Sequence, residues 1–263
     1  MDLRIMTSNV WADFFGNPVP PRDALLAEII AEKSPDAVAF QEMHTNWHNS
    51  VLKPRLFELG YAEVHPDLGG CPYNCTPVLY NANRFREVRS FFHLYSGPND
   101  VNSKSYTAVC LEEKESGVRI GMLATHFWYM WDEEGSRARE QNARELIEGF
   151  DSFADCAAVF CGGDYNCGEQ SSAFGILKDA GIITSYRLAE ELINPVCSWH
   201  GDPVYDGETG KYTPAPVSSH PLDHSLDHIL VRGNAKIKRY EVISDERARI
   251  VSDHSPVVID AEI

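Results

Sequence analysis

Residues 157–166 read AAVFCGGDYN, in which a short apolar run stops at two glycines and then at the polar residues Asp164 and Asn166. An apolar run that ends at turn-forming residues is typical of a buried strand. A helical pattern follows at residues 171–180. The stretch therefore predicts a buried strand that leads into a helix, with two polar side chains at the carboxyl end of the strand.

The same arrangement recurs along the chain. Strand-like runs lie at residues 3–10, 37–40, 77–80, 91–95, 106–111, 118–125, 157–161, 225–231, 237–243 and 256–263. Helical patterns lie at residues 22–33, 47–59, 136–150 and 171–180. Helices follow the first, second and seventh runs, whereas hairpin-like pairs occupy the middle, which favours mixed sheets with outer helices. Neither a linker nor a repeat divides the chain, so residues 1–263 are predicted to form one domain.

The chain is acidic. It has 23 basic and 39 acidic residues and a formal net charge of −16, which opposes non-specific binding to nucleic acid or to an anionic membrane. No apolar run reaches the length of a membrane span, and the first residues enter a strand pattern rather than a secretory signal. We therefore expect no membrane span and a cytoplasmic location.

The seven cysteines form an odd set without the paired spacing of a metal finger. Cys110, Cys156 and Cys161 lie in apolar runs, where a buried reduced thiol is the usual state. Cys71 and Cys75 share a loop that contains glycine and proline and could either form a bridge or stay free. This cysteine usage favours a reducing compartment.

Polar residues stand where the apolar runs begin or end. The runs are followed or opened by Asn9, Glu42, His126, Asp164 with Asn166, Asp227, and Asp253 with His254. Open α/β sheets gather their loops and ligands at the edge where the strands end. Each residue alone is more often a turn or cap residue, but six such positions together predict a site at one edge.

Two of these residue types suit a metal. Glu42 and Asp253 are hard oxygen donors of the kind that bind Mg²⁺ or Mn²⁺ together with water and substrate phosphate. A zinc site is not favoured, because no close pair of histidines or cysteines has the spacing of zinc ligands.

Other residues suit proton transfer and charge stabilisation. Asp227 could fix the tautomer of His254 and stabilise its charged form, so that the imidazole carries a proton. His126 and Asn166 supply donors for the charge that develops on phosphoryl oxygens. Together with the metal ligands, these residues predict metal-assisted hydrolysis of a phosphoester.

One motif is ambiguous, because Leu-Asp-His occurs at both residues 222–224 and residues 226–228. Only the second copy leads directly into an apolar strand pattern. Asp227, rather than Asp223, is therefore the predicted partner of His254.

The motifs occur in a defined order: Thr7-Ser8-Asn9, Gln41-Glu42, Thr125-His126, Gly162-Gly163-Asp164-Tyr165-Asn166, Leu226-Asp227-His228-Ile229 and Ser252-Asp253-His254-Ser255-Pro256. This set resembles the endonuclease/exonuclease/phosphatase superfamily, which includes DNase I-like and apurinic endonuclease-like enzymes. The resemblance covers residues 3–258. It implies an α/β fold of four layers, an α-β-β-α sandwich in which two mixed sheets pack face to face between outer helices, with the site at one edge.

The resemblance also implies a metal site. Glu42 would be the main ligand of Mg²⁺ or Mn²⁺, with Asn9 and Asp253 close to the metal or its waters. One metal or two is left open.

The catalytic roles follow from the same resemblance. Asp164 and Asn166 would position the attacking water and the phosphate, and His126 would bind a phosphate oxygen. Asp227 and His254 would act as a pair in acid/base chemistry. Whether Asp164 or that pair is the general base is left open.

Aromatic residues directly follow the predicted catalytic histidine, since residues 125–131 read THFWYMW. Trp128 could stack on a base or a sugar ring. The alternative is that Phe127 and Tyr129 pack in the core, while the arginines of residues 137–144 are solvated or paired with nearby glutamates.

The remaining candidates for substrate binding have weaker signals. Lys104 and Tyr106 stand at the start of a strand pattern and could face the phosphate. Residues 194–221 form the longest irregular stretch, and Trp199 and His200 within it could belong to a lid or to an ordinary surface loop.

The leading hypothesis is a Mg²⁺- or Mn²⁺-dependent phosphodiesterase or phosphatase, for which a phosphorylated small molecule is one compatible substrate. A nuclease acting on DNA or RNA is the alternative, and the net charge of −16 argues mildly against it. A binding module that had lost its chemistry would show erosion at the motif residues, and Glu42, Asp164 and His254 are all present.

Overall fold

The computed structural model describes residues 1–13 and 16–263. The helices are α1 (Pro20–Lys33), α2 (Thr45–Asn49), α3 (Leu52–Glu58), α4 (Glu133–Asp151), α5 (Ser172–Asp179) and α6 (Ala248–Val251). Short 3-10 helices span Ser185–Arg187 and Leu222–His224.

The strands are numbered in chain order. They are β1 (Asp2–Asn9), β2 (Ala37–Gln41), β3 (Tyr61–Glu63), β4 (Val78–Asn81), β5 (Phe85–Leu94), β6 (Ser105–Glu113), β7 (Arg119–His126), β8 (Ala158–Asp164), β9 (Ile183–Thr184), β10 (Glu191–Ile193), β11 (Val204–Asp206), β12 (Lys211–Thr213), β13 (Asp227–Gly233), β14 (Lys236–Val242) and β15 (Val257–Glu262).

Among the described residues, the strands form two large sheets and one hairpin. The first sheet has the order β10-β14-β15-β1-β2-β4-β3, and the second has the order β5-β6-β7-β8-β13-β9. The strands β11 and β12 pair with each other. Each large sheet holds a parallel pair near its centre, β1 with β2 and β7 with β8, flanked by antiparallel neighbours.

This topology brings strand ends from distant parts of the sequence to one edge. The carboxyl ends of parallel neighbours lie side by side, and an antiparallel neighbour begins where they end. The register pairs His126 with Asp164 and Asp164 with Asp227. Three predicted site residues therefore sit next to one another across three adjacent strands.

The main core lies between the two sheets. Ile5 and Tyr240 from the first sheet pack in one cluster with Met122 and Phe160 from the second. The sheets approach closely at the end of β8, where a Cβ on Gly162 would lie 2.8 Å from the Cβ atoms of Ala39 and Thr7. Packing at this distance leaves no room for a side chain, which accounts for the first glycine of the stretch at 157–166.

Two further clusters lie under the outer helices. Leu26 and Ile30 of α1 pack with Met6 and Phe40 on the outer face of the first sheet. On the outer face of the second sheet, α4 and α5 pack in a separate cluster with residues such as Leu123. The result is four layers, helix, sheet, sheet and helix, so the predicted fold class is confirmed.

The predicted helix at 47–59 is wrong in one respect, because the chain forms two short helices there. Residues 50 and 51 separate α2 from α3. The Asp23 carboxylate accepts hydrogen bonds from the Val51 amide, at 2.9 Å, and from the Ser50 hydroxyl. This side chain supplies an acceptor at the start of α3 that helix periodicity does not reveal.

Further features differ from the sequence prediction. The strand predicted at 91–95 begins six residues earlier, at Phe85, and the short elements β3, β9, β10 and α6 were not predicted. The stretch at 194–221 contains the hairpin of β11 and β12 rather than irregular chain alone. Within the described part of the chain, no helix is both long and apolar enough to cross a membrane.

Candidate active site

Asn9 joins the two sheets at the predicted edge. Its Nδ2 atom donates to Asp164 Oδ2 at 3.0 Å and lies 3.3 Å from Glu42 Oε1, while its Oδ1 accepts from the Trp11 amide at 2.9 Å. Asn9 and Asp164 are almost fully buried, whereas the Glu42 side chain is 23% exposed. Three predicted residues from three strand ends therefore share one hydrogen-bonding network.

Glu42 and Asn166 both adopt the left-handed backbone region, with φ of 57° and 49°. A non-glycine residue rarely adopts this conformation, and such residues concentrate at functional sites. The Asn166 amide donates to Asp164 Oδ1 at 2.9 Å, and its side chain donates to the Phe127 carbonyl at 3.1 Å. Asn166 thus holds the carboxylate of Asp164 in place.

His126 lies between the carboxylates and a buried lysine. Its Nε2 atom is 3.5 Å from Asp164 Oδ2, 3.9 Å from Glu42 Oε1 and 2.9 Å from Lys104 Nζ. Burial and the charges of Lys104 and His254 hold the pKa of His126 well below its usual value. The ring is therefore neutral and accepts a hydrogen bond from the lysine.

Asp227 and His254 form a buried pair. The His254 Nδ1–H donates to Asp227 Oδ2 at 2.6 Å, and the Ser198 hydroxyl donates to the same oxygen at 2.6 Å. Burial alone would lower the pKa of His254, but the negative charges of Asp227, Asp253 and Asp164 outweigh it and raise that pKa well above its usual value. Asp227, and not Asp223, contacts His254, as the strand pattern predicted.

The carboxylates crowd one another in a poorly solvated space. Burial raises the pKa of Glu42 and of Asp253, and burial together with Asp227 and Glu42 raises the pKa of Asp164 to about 6. One ligand atom each from Glu42, His126 and Asp164 lies within 4.8 Å of the others. A buried cluster of hard oxygen donors fits a divalent cation, because the cation would offset the repulsion between the carboxylates.

Asp253 lies beside His254, whose Nε2 atom is 3.7 Å from Asp253 Oδ2. Its other oxygen accepts from the Ser252 hydroxyl at 3.2 Å. Asp253 therefore stands close to the site but next to the histidine, and the residues that crowd around Asn9 are Glu42 and Asp164.

A loop segment fixes the turn that carries His254. Trp199 pairs with His254 as an isolated bridge, the His200 amide donates to the Asp253 carbonyl at 3.0 Å, and the Ser255 amide donates to the Ser198 carbonyl at 2.8 Å. Ser198 was not predicted from the sequence, and its only signal is its position before Trp199. The loop thus supports the site through its backbone and through the hydroxyl of Ser198.

The base of this loop is closed by a second contact. Val196 pairs with Pro221 as an isolated bridge, and the Cys197 amide donates to the His220 carbonyl at 2.9 Å. Trp199 is 43% exposed, whereas His200 is buried, with its Nδ1 atom 3.0 Å from the Gly201 carbonyl. Burial lowers the pKa of His200 to about 4, so its ring is neutral.

Tyr106 lies elsewhere, and its prediction as a substrate-binding residue is corrected. Its ring contacts His93 and Phe91, with centroid distances of 5.0 and 6.0 Å, in the core beneath α4. Tyr106 shares its face of β6 with Ala108 and Cys110, which pack in the same outer cluster, so it points to the outer face of the second sheet. Lys104, which precedes the strand, is the residue that reaches the site.

The aromatic segment after His126 divides between core and surface. Phe127 is fully buried and Trp128 half-buried, but Tyr129 is 42% exposed. Arg139 is buried and donates to the Trp128 carbonyl at 3.2 Å, whereas Arg144 pairs with a neighbouring glutamate of its own helix. The alternative, in which Phe127 and Tyr129 pack in the core, is confirmed for Phe127 and wrong for Tyr129.

These features define a two-sheet sandwich with a buried carboxylate and histidine cluster at one edge. Residues 6–254 match the model of the endonuclease/exonuclease/phosphatase family, so the chain belongs to that family. No curated protein sequence matches the chain significantly.

Solved structures share this fold. The family member from Bacteroides vulgatus is 20% identical, with a TM-score of 0.77 over 100% of this chain and 99% of that one. The mannosyl-6-phosphatase Bt3783 of Bacteroides thetaiotaomicron is 18% identical, with a TM-score of 0.76 over 99% of this chain and 100% of that one. TDP2 of D. rerio complexed with a single-strand DNA product is 15% identical, with a TM-score of 0.68 over 100% of this chain and 99% of that one. At these identities the likeness describes the fold.

Proposed function

We propose that residues 1–263 act as one catalytic domain, a divalent-metal-dependent phosphoesterase that hydrolyses its substrate by in-line attack of water. The observation that carries the proposal is the meeting of Asn9, Glu42 and Asp164 within one hydrogen-bonding network beside the buried Asp227–His254 pair. A structural role would not require two buried histidines and four carboxylates at one sheet edge, because burying charged groups is costly.

The cluster suits Mg²⁺ or Mn²⁺. Glu42 and Asp164 would hold the ion, and Asn9, which donates to both carboxylates, would keep them in place. Asp253 adds a further negative charge beside these groups. The bound ion would supply a Lewis acid that neutralises phosphoryl oxygens.

The side chains around this position have separable tasks. Lys104 and the neutral ring of His126 face the place where phosphoryl oxygens would bind, and Lys104 supplies a positive charge there. Asn166 orients Asp164, which is placed to position the attacking water.

Asp227 determines which proton His254 can exchange. Because Nδ1–H is hydrogen-bonded to the Asp227 carboxylate, the exchangeable proton is the one on Nε2, which lies 3.7 Å from Asp253 Oδ2. His254 is therefore placed to transfer a proton to or from an oxygen of the phosphoester.

A phosphorylated small molecule is the favoured substrate. The net charge of −16 opposes the binding of a long polyanion, and a phosphatase acting on a sugar phosphate shares the fold. A nuclease is the alternative, supported by the structural similarity to TDP2 of D. rerio, which was solved in complex with a single-strand DNA product. All seven cysteines are free, which supports a reducing location such as the cytoplasm.

The proposal is tested with purified protein and two chromogenic substrates, p-nitrophenyl phosphate and bis-p-nitrophenyl phosphate, with Mg²⁺, with Mn²⁺ and with EDTA. We expect metal-dependent release of p-nitrophenol that His254→Ala lowers by about 10²- to 10⁴-fold. His220→Ala serves as the matched control, because His220 is exposed. If both substrates stay intact with either metal, the proposal fails.

A further inference from the structure

Four apolar residues in succession stand at the surface directly beyond the site. Tyr129 and Met130 are each 42% exposed, Trp131 is 69% exposed and Trp128 is half-buried. We call these four residues the aromatic platform. An exposed apolar patch of this kind marks a binding surface, because burying each side chain would otherwise stabilise the fold.

The backbone of the platform is held from inside the protein. The Asn142 side chain, fully buried on α4, accepts from the Trp128 amide at 3.0 Å. The buried guanidinium of Arg139 donates to the carbonyls of Trp128 and Met130 at 3.2 and 2.5 Å. The polar backbone therefore faces inwards and the apolar side chains face outwards, which is the reverse of ordinary surface loops.

The start of α4 fixes the far end of the platform. Asp132 caps the helix by accepting from the Gly135 amide at 2.7 Å. A Cβ on Gly135 would lie 1.9 Å from the Met130 carbonyl oxygen, so the helix and the platform touch along their backbones. The exposed rings are thus carried on a rigid segment, which lowers the entropy lost when a ligand binds.

The platform is continuous with the phosphate end of the site. Lys104 Nζ lies 5.4 Å from the centroid of the Tyr129 ring and 2.9 Å from His126 Nε2. The rings of Trp128 and Tyr129 lie 4.8 Å apart at 46°. A phosphoester whose phosphate contacts Lys104 and His126 would place its organic group next to Tyr129.

We propose that the aromatic platform binds the organic group of the substrate and selects groups that contain a ring with a flat face. This inference rests on the proposed phosphoesterase function. A nucleobase and a pyranose share this flat face, since both stack on aromatic side chains. Acyclic phosphoesters lack it and would gain only the contacts at the phosphate.

The experiment compares three primary phosphomonoesters that differ only in the organic group: adenosine 5′-monophosphate, mannose 6-phosphate and glycerol 3-phosphate. We expect kcat/KM to favour at least one ring-bearing ester over glycerol 3-phosphate. Tyr129→Ala and Trp128→Ala should each lower that preference by about tenfold, because stacking contributes on this scale. A preference for adenosine 5′-monophosphate would show that the platform selects a nucleobase, and a preference for mannose 6-phosphate would show that it selects a pyranose.

Two variants serve as controls. One removes an exposed aromatic ring away from the platform, and the other keeps the ring at residue 129. Phe57→Ala removes an aromatic ring that is 44% exposed on α3, and it should leave the preference unchanged. Tyr129→Phe keeps the flat ring and should retain the preference of the unaltered protein.

A binding measurement separates this inference from the proposed function. Quenching of tryptophan fluorescence is titrated with the same three esters, which requires no turnover, and Tyr129→Ala should weaken the binding of the favoured ring-bearing ester. The inference is overturned if neither ring-bearing ester binds more tightly than glycerol 3-phosphate, or if the platform variants leave the preference intact. A protein that binds the ring but hydrolyses nothing would contradict the proposed function alone.

Discussion

Asn9 Nδ2 lies 3.0 Å from Asp164 Oδ2, and this hydrogen bond connects the last residue of β1 in one sheet with the last residue of β8 in the other. The contact connects the two facing sheets at the edge where the candidate active site forms. Asp164 also accepts from the Asn166 amide, so both of its oxygens are engaged.

Asp164→Asn tests the carboxylate without changing its shape. The substitution removes the negative charge while an oxygen remains to accept from the Asn166 amide, so we expect turnover to fall by about 100-fold. The melting temperature should change little, because the removal of a buried charge offsets the loss of the hydrogen bond that Asn9 donates to Asp164 Oδ2. Steady-state kinetics and thermal unfolding provide the measurement. Asp179→Asn, at an exposed position that ends α5, is the control.

Asp227→Asn tests the partner of His254. The amide cannot stabilise a charged imidazole and can present a donor to Nδ1, so we expect kcat to fall by about 10²- to 10⁴-fold. The matched control is Asp223→Asn in the other Leu-Asp-His copy, which should leave kcat unchanged, because Asp223 does not contact His254. Equal losses in both variants would contradict the pairing of Asp227 with His254.

A divalent cation should stabilise the fold through Glu42 and Asp164. Saturating Mg²⁺ or Mn²⁺ is expected to raise the melting temperature, because an ion that binds only the folded state stabilises it. Glu42→Gln should remove most of that shift by withdrawing one hard ligand. Differential scanning calorimetry with and without EDTA measures the effect. A shift of the same size in both proteins would place the ion elsewhere.

Gly162 should tolerate no side chain. In Gly162→Ala the new Cβ would lie 2.8 Å from Cβ atoms of the facing sheet, so we expect a loss of about 1–3 kcal/mol in the free energy of unfolding. Gly175→Ala is the control, since a Cβ at that exposed position in α5 meets nothing within 4 Å. It should stabilise the protein by up to about 1 kcal/mol. Urea denaturation distinguishes the two outcomes.

Glu169 should make part of the stability dependent on pH. Burial opposes its ionisation, but hydrogen bonds from Arg187, Tyr186 and Thr184 outweigh burial and lower the pKa of Glu169 to about 2. A carboxylate with a depressed folded-state pKa stabilises the protein above its ordinary pKa and loses that contribution as the pH falls. We expect the free energy of unfolding to decline between pH values of about 4.5 and 2. Glu169→Gln should show a shallower decline in denaturant titrations over that range.

The strand ends could be predicted from the sequence because hydrophobic runs stop sharply there. Asn9, Glu42, His126 and Asp164 each stand within three residues of the end of such a run, and the topology then brings them together. Side-chain alternation alone would put Lys104 and Tyr106 on the same face, because they are two residues apart. The structure separates them, since Lys104 precedes β6 whereas Tyr106 lies within it.

Other features depend on contacts between residues far apart in the sequence. The break between α2 and α3 depends on Asp23, which lies 28 residues before Val51. Ser198 reaches Asp227 across 29 residues, through a loop without any periodic pattern. The exposure of Tyr129 depends on the buried groups of α4 that hold the neighbouring carbonyls. No local pattern encodes such contacts.

The two bridges at the base of the long loop separate its tip from the turn that carries His254. Val196 pairs with Pro221 and Trp199 pairs with His254, so the support of that turn is complete before the chain enters the hairpin of β11 and β12. The hairpin tip can therefore accept insertions, deletions or a grafted peptide while Ser198 keeps its hydrogen bond to Asp227. The chain has in this tip a position where new recognition elements can be added, in evolution or by design, without rebuilding the chemistry beneath it.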